Sequence, residues 1–343
     1  MVTREIRLSA RRFTVLGVAA LALGSLMGST PASAQDYVMK FATLTLNDLQ
    51  HEYIKVYKRE LEKATNNRIR VDIYPAGQLG GAPRQTEGLR LGTIEAAVGP
   101  AELFVGADPR FQALAMAGLF TSIEHARKAM TVPEVRQAVF DVAAQRNLLA
   151  IGINTYDLQD FVFKQPVTKL ADFTGKRVRV LASEGEQAQV NALGAAAVPM
   201  SLTEVLPALQ QGTIDGVNSV KGVFVAFKYY DAAPNLLQTQ LWPLVSVALV
   251  SKAFYDRLPS DLQKAVRETG AKIEPELDQW QIERIAADTT AWTEKGGKIT
   301  RLSPAEQDEA VRRTTAALQP ILDKNVPLKE FYTKVRTGAG KVN

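Results

Sequence analysis

The chain contains no cysteine and only two histidines in 343 residues. Without thiols there is no disulfide scaffold, thiolate metal site, cysteine nucleophile or lipid anchor on cysteine. Two histidines, His51 and His125, cannot build a multi-histidine metal site. There is no GxSxG elbow and no HExxH pair, and Gly338-Ala339-Gly340-Lys341 is followed by Val342, so it is not a phosphate loop. Low-complexity tracts are also missing, and a 46% hydrophobic composition supplies a large core rather than a disordered chain. After the N-terminus no apolar run reaches the ~20 residues of a membrane-spanning helix.

The formal charge of +5 is concentrated at one end. Arg4, Arg7, Arg11 and Arg12 stand against Glu5 in the first twelve residues, and setting these aside leaves 37 basic and 35 acidic residues. Beyond them no basic run exceeds a pair such as Lys58-Arg59, whereas a nucleic-acid surface needs a clustered patch, so no nucleic-acid partner is expected. The basic start, the apolar stretch Phe13 to Met27 and the small-residue site Ala32-Ser33-Ala34 form the three-part pattern of a cleaved export signal. Residues 1–34 are therefore expected to be removed and the protein to work in the periplasm. Arg11-Arg12 is compatible with the twin-arginine route, and the choice between that route and general secretion stays open.

The rest alternates strands with helices. Val38 to Thr43 reads as a strand, and Asn47 or Asp48 caps a helix whose apolar stripe is Tyr53, Val56, Tyr57, Leu61 and Ala64. Arg68 to Tyr74 alternates as a second strand, a Gly/Pro-rich loop follows, and Gln85 to Leu91 is a helix stopped by Gly92 before the strand Thr93 to Val98. The plan recurs about 120 residues on: strand Lys176 to Leu181, helix Ser183 to Leu193, helix Thr203 to Gln211 stopped by Gly212, strand Ile214 to Asn218. Leu89–Val98 (LRLGTIEAAV) and Leu209–Asn218 (LQQGTIDGVN) both read helix end, Gly-Thr-Ile-acid, strand. Leu244 to Val250 is an apolar strand. A helical pattern runs from about Asp261 to Lys295, with breaks expected near Gly270 and Pro275, and Ser303 to Asp323 is a further helix. Two α/β domains of similar plan with a cleft between them are expected.

Candidates for catalysis are weak. His51 and His125 read as surface or capping residues, Glu184 and Glu186 as carboxylates at a helix start, Asp157 and Asp160 as turn residues. No enzyme and no cofactor are expected.

Residues Arg70 to Gly81 (RVDIYPAGQLGG), Glu87 to Glu95 (EGLRLGTIE), Asp172 to Val180 (DFTGKRVRV), Leu193-Gly-Ala, Val198-Pro-Met, Glu204-Val, Ala208 to Gly216 and Leu258 to Gln263 follow one another in a familiar order. Over residues 37–325 the chain resembles the dicarboxylate-binding-type solute-binding proteins of tripartite ATP-independent periplasmic (TRAP) transporters. The resemblance implies a two-lobed periplasmic binding protein fold, type II-like: two α/β domains, a hinge and a long bracing helix. It implies lobe I from 35–156 plus about 243–285, lobe II from 157–242 plus about 286–325, and a tail at 326–343. It also implies capture of a small organic carboxylate and delivery to the TRAP membrane permease subunits, by a monomer without cofactor or metal. A periplasmic lyase or isomerase and a ligand-binding partner of a chemoreceptor are the alternatives.

The same resemblance makes Arg179 the carboxylate clamp. A guanidinium stays charged and offers paired donors that match a carboxylate. Arg177 lies on the same face of an ideal strand, so periodicity alone leaves both open. The other positions implied for the pocket are Pro100, Tyr156, Leu158, Leu202, Thr203, Asn218, Ser219 and Leu241, with Phe161 and Trp242 nearby. Where the family often carries a second Arg this chain has Leu158, and Gln240-Leu241 replaces an Asn-His pair. The loss of polarity favours a monocarboxylate with an apolar or aromatic body, with Thr203, Asn218 and Ser219 bonding its hydroxyl or oxo groups. Lys221 is the alternative cation that would restore a dicarboxylate site.

Overall fold

The computed structural model describes residues 36–342; the leader expected over 1–34 lies outside them. Eleven strands are described, forming two sheets. In lobe I, β1 (Tyr37–Ala42) lies parallel to β2 (Ile69–Tyr74) and β3 (Ala96–Pro100), and the order is β2-β1-β3-β10-β4. Strand β4 (Leu148–Leu158) closes that sheet, antiparallel to β10 (Pro243–Ser251). Lobe II orders its strands β11-β9-β5-β8-β6-β7. These are β5 (Asp160–Phe163), β6 (Arg177–Val180), β7 (Ala196–Pro199), β8 (Gly216–Ser219), β9 (Asn235–Gln238) and β11 (Lys298–Arg301).

The chain changes sheets through short segments at Gln159, between β4 and β5, and at Thr239–Trp242, between β9 and β10, and a third time through the long helical stretch between β10 and β11. The two short crossings are tied together. Gln159 N–H donates to the Trp242 carbonyl at 2.8 Å, and Asp160 Oδ1 accepts from the N–H groups of Thr239 and Gln240 at 2.9 and 3.0 Å.

The helices are α1 (Leu49–Ala64), α2 (Ala82–Leu91), α3 (Ile123–Thr131), α4 (Pro133–Ala144), α5 (Glu184–Ala192), α6 (Leu202–Gln211), α7 (Lys221–Ala226), α8 (Lys252–Tyr255), α9 (Ser260–Glu294), α10 (Pro304–Lys324) and α11 (Val326–Ala339). Asp48 caps α1 by accepting from His51 N–H. The repeat read in the sequence is a repeat of structure. Gly92 and Gly212 take left-handed conformations (φ 75° and 73°) at the ends of α2 and α6. After each, two successive N–H groups return to one helix carbonyl: Thr93 and Ile94 to Gly88, Thr213 and Ile214 to Ala208.

Two departures concern the helices. The long helix α9 runs unbroken for 35 residues through Gly270 and Pro275. It lies on α1 and β4 of lobe I and on α7 of lobe II. At Gly270 the β4 backbone lies against α9, so that a Cβ there would collide with the Ile151 carbonyl. The break expected from composition is thus a packing site. The stretch from 326, expected as a tail, is helical from Val326 to Ala339 and returns to lobe I, packing on α3 and α4 with Leu328, Phe331, Tyr332 and Val335 buried.

Candidate ligand-binding site

Parallel strands leave their side-chain-bearing loops at their C-terminal ends, which is where open α/β sheets bind ligands. Both lobes direct such ends at each other. A cavity of about 560 Å³ is lined from lobe I by residues following β1 and β3 and on α2, including Leu44, Thr86, Glu102 and Leu103, and from lobe II by Arg179, Leu181, Met200, Ser201 and Leu202. A smaller cavity adjoins it at Arg179, bounded by Thr45, Gln50, Pro100, Gln159, Asn218 and Ser219.

Arg179 lines both. It sits on β6 between Val178 and Val180 and is only 2% exposed. Its Nε donates to the Met200 carbonyl at 3.1 Å, and its Nη2 is buried without a hydrogen-bond partner. Burial lowers its pKa, opposed by Tyr229, Glu186 and Glu102. Arg177, two residues earlier, is exposed and bidentate to Asp215, with Nε–Oδ2 and Nη2–Oδ1 both 2.9 Å. The two arginines share a strand face, but only the one further along reaches the cavity.

Two buried carboxyls surround the guanidinium. Glu186, on the first turn of α5, accepts from Leu181 N–H at 2.7 Å. Burial pushes its pKa up to about 7 against the pull of Arg179 and that N–H. Glu102 follows β3 and is 1% exposed, with neither carboxyl oxygen in a hydrogen bond. Burial, then repulsion from Glu186, holds it well above the usual carboxylate range, while Arg179 and the amide of Gln159 pull the other way.

Of the positions expected at the site, Arg179, Pro100, Leu202, Asn218 and Ser219 line these cavities. Asn218 is already engaged: its Nδ2 donates to the Asp160 carbonyl at 3.0 Å. Its Oδ1 accepts from the Gln159 amide at 2.9 Å once that amide is oriented to suit its neighbours, and Gln159 Oε1 then accepts from Trp242 Nε1. Thr203 is exposed beside the cavity, its hydroxyl 3.1 Å from Ser201 Oγ. Tyr156, Leu158 and Leu241 do not line either cavity. Tyr156 is fully buried against Gly222, and Leu241 belongs to the hydrophobic core with Phe161 and Trp242. Nearness along the chain to a sheet crossing does not decide which side of the strand faces the cleft.

Lys221 is not a spare cation. Its Nζ lies 3.1 Å from Asp157 and 3.4 Å from Asp160, with all three side chains buried. Burial pulls Lys221 down, but Asp160 and Asp157 outweigh it and hold it above its usual value. Asp157 and Asp160 are thus the buried partners of the lysine that starts α7 rather than turn residues. Among the described residues no group of His, Asp or Glu is placed to hold a metal ion. His51 Nδ1 accepts from Asn47 N–H, and His125 Nε2 donates to the Ala339 carbonyl.

No pattern in the sequence marks Glu102, Gln159, Thr45 or Gln50, and a helix start alone accounts for Glu186 in the sequence. Glu102 lies two residues beyond Pro100, where β3 ends. A single apolar-flanked Glu in Ala-Glu-Leu gives no periodicity from which its burial could be read.

The fold and this cleft define a two-lobed binding protein. Residues 41–325 match the model of bacterial extracellular solute-binding protein, family 7 (DctP), and the chain belongs to that family, the periplasmic solute-binding proteins of TRAP transporters. The chain is 28% identical over 266 residues to the C4-dicarboxylate-binding periplasmic protein DctP of Rhodobacter capsulatus, covering 72% of this chain and 78% of that one. A TRAP periplasmic solute-binding protein of Xanthobacter autotrophicus, with bound β-D-galacturonate, superposes with a TM-score of 0.80 at 23% identity, covering 87% of this chain and 99% of the other. A second, from Desulfovibrio salexigens with bound orotic acid, gives 0.81 at 21% identity over 88% and 99%.

Proposed function

We propose that the protein captures a small organic monocarboxylate between its lobes, holds the carboxylate on Arg179, and releases it to the membrane subunits of a TRAP permease. The observation that carries the reading is a buried guanidinium with an unpartnered Nη2 on the wall of an otherwise largely apolar cleft. A desolvated arginine is a ready partner for one carboxylate. A second carboxylate on the ligand would enter a pocket lined by Glu87, Glu102 and Glu204, with Glu186 buried beside Arg179 and no cation but Arg179 among the lining residues, at a desolvation cost of roughly several kcal/mol.

Ligand closes the lobes about Gln159 and Thr239–Trp242, and the closed form is what the permease recognises. The protein works in the periplasm after loss of residues 1–34, as a binder rather than a catalyst. The engagement of both histidines away from the cleft supports that view. It is a monomer, a reading supported by the scatter of its large exposed apolar side chains, such as Leu91, Ile282, Val311 and Val326, over separate elements. The test is a thermal-shift screen of organic acids, because a ligand that binds only the folded state raises its apparent stability. Stabilisation by monocarboxylates without turnover is expected; chemical conversion of a bound acid would overturn the reading.

A further inference from the structure

Neither carboxyl oxygen of Glu102 has a hydrogen-bond partner of good geometry, the Gln159 amide being the one side-chain donor that pulls on it, yet Glu102 is more deeply buried than almost any other carboxyl in the protein. A buried polar group without partners costs stability and is rare in folded proteins. The chain brings it to the cleft on the short 3-10 turn Ala101–Phe104 directly after β3. It lines the same cavity as Arg179, but from the opposite lobe. A ligand gripped at Arg179 by its carboxylate therefore meets Glu102 from lobe I.

We propose that Glu102 is the second anchor of the ligand, hydrogen-bonding a hydroxyl group on the monocarboxylate held by Arg179, and that the ligand class is hydroxymonocarboxylates with an apolar body. The inference rests on the reading of Arg179 as the carboxylate's partner. The chemistry of the site selects among substituents. A hydroxyl donates and accepts, so it satisfies Glu102 whether the carboxyl is ionised or protonated. An ammonium needs the ionised form, which burial and the neighbouring Glu186 oppose. The groups facing Glu102 are Arg179 on β6, Glu186 on α5 and Gln159 at the sheet crossing. A second ligand carboxylate would add an anion to this set. A polyol chain would find few partners, because Leu44, Leu103, Leu181, Met200 and Leu202 form much of the remaining wall. Of the hydroxyl groups there, Thr86 already donates to the Leu103 carbonyl at 3.1 Å.

The test is calorimetric titration of wild type, E102Q and E102L with matched acids: 3-phenyllactate, 3-hydroxy-3-phenylpropionate, 3-phenylpropionate and phenylalanine. Wild type should bind one of the hydroxy acids at least ~10-fold more tightly than 3-phenylpropionate, since a site built around a hydroxyl rejects the analogue that lacks it. E102L should erase that preference while holding 3-phenylpropionate within about threefold of wild type, and E102Q, which still donates and accepts, should keep part of it. Equal affinity of wild type for hydroxy and deoxy acids, an equal loss for both in E102L, or preference for phenylalanine would overturn the role of Glu102. Failure of wild type to bind any of these acids would instead overturn the monocarboxylate reading on which the role rests.

Discussion

Replacing Arg179 by alanine separates binding from folding. The guanidinium has one direct bond, to the Met200 carbonyl, and its charge is buried beside two carboxyls that can hold their protons. Because both carboxyls can take up a proton when the cation is lost, its removal does not leave an uncompensated charge in the interior. The folded protein should therefore survive, with a melting temperature close to wild type. Binding is different. Truncating one partner of a buried, hydrogen-bonded charge pair costs about 2–5 kcal/mol, or roughly 30- to several-thousand-fold in affinity. Lysine should restore only part of this, because it cannot make the two-donor fork. Calorimetric titration of a bound monocarboxylate against wild type, R179A, R179K and R177A is the assay. R177A should bind normally, since Arg177 is exposed and its partner is Asp215. Loss of binding in R177A with binding retained in R179A would refute the assignment, as would an R179A affinity within threefold of wild type.

Three further outcomes are expected. K221M leaves Asp157 and Asp160 without their cation and should destabilise by about 3–5 kcal/mol in urea unfolding, with a smaller loss at pH 5, where Asp160, pushed up to about 6, is protonated. Glu186 binds its proton more tightly folded (about 7) than unfolded (4.5), so between those values the native state holds more protons and stability falls as pH rises. The wild-type melting temperature should be higher at pH 5 than at pH 8, and E186Q should flatten the profile; a profile unchanged by E186Q would contradict the burial argument. G270A should be severely destabilising, because the added methyl meets the Ile151 carbonyl, and a melting temperature within a degree or two of wild type would show that α9 does not pack as described.

The sequence was most legible where a local rule acts alone. Gly92 and Gly212 end helices because a residue free of Cβ strain turns left-handed there most readily, and the three residues that follow each, Thr-Ile-acid, repeat in register. Asp48 caps α1 for an equally local reason. Legibility fell where the outcome depends on distant partners. Gly270 and Pro275 look like helix breakers, but the neighbouring β4 backbone makes glycine the fitting residue at 270. Lys221 looks like a free cation until the sheet crossing brings Asp157 and Asp160 to it. Tyr156 stands near the expected pocket in sequence, yet it packs into the core beside α7 and α9. Glu102 is the converse: an ordinary residue in the sequence that tertiary structure buries opposite Arg179.

The central claim, that one guanidinium flanked by the buried carboxyls of Glu102 and Glu186 selects a single ligand carboxylate, is tested most directly by titrating wild-type protein with succinate, butyrate and 3-phenyllactate under one set of conditions. The monoacid with the larger apolar body should bind most tightly and succinate most weakly. Tight binding of succinate with no response to either monoacid would contradict the claim.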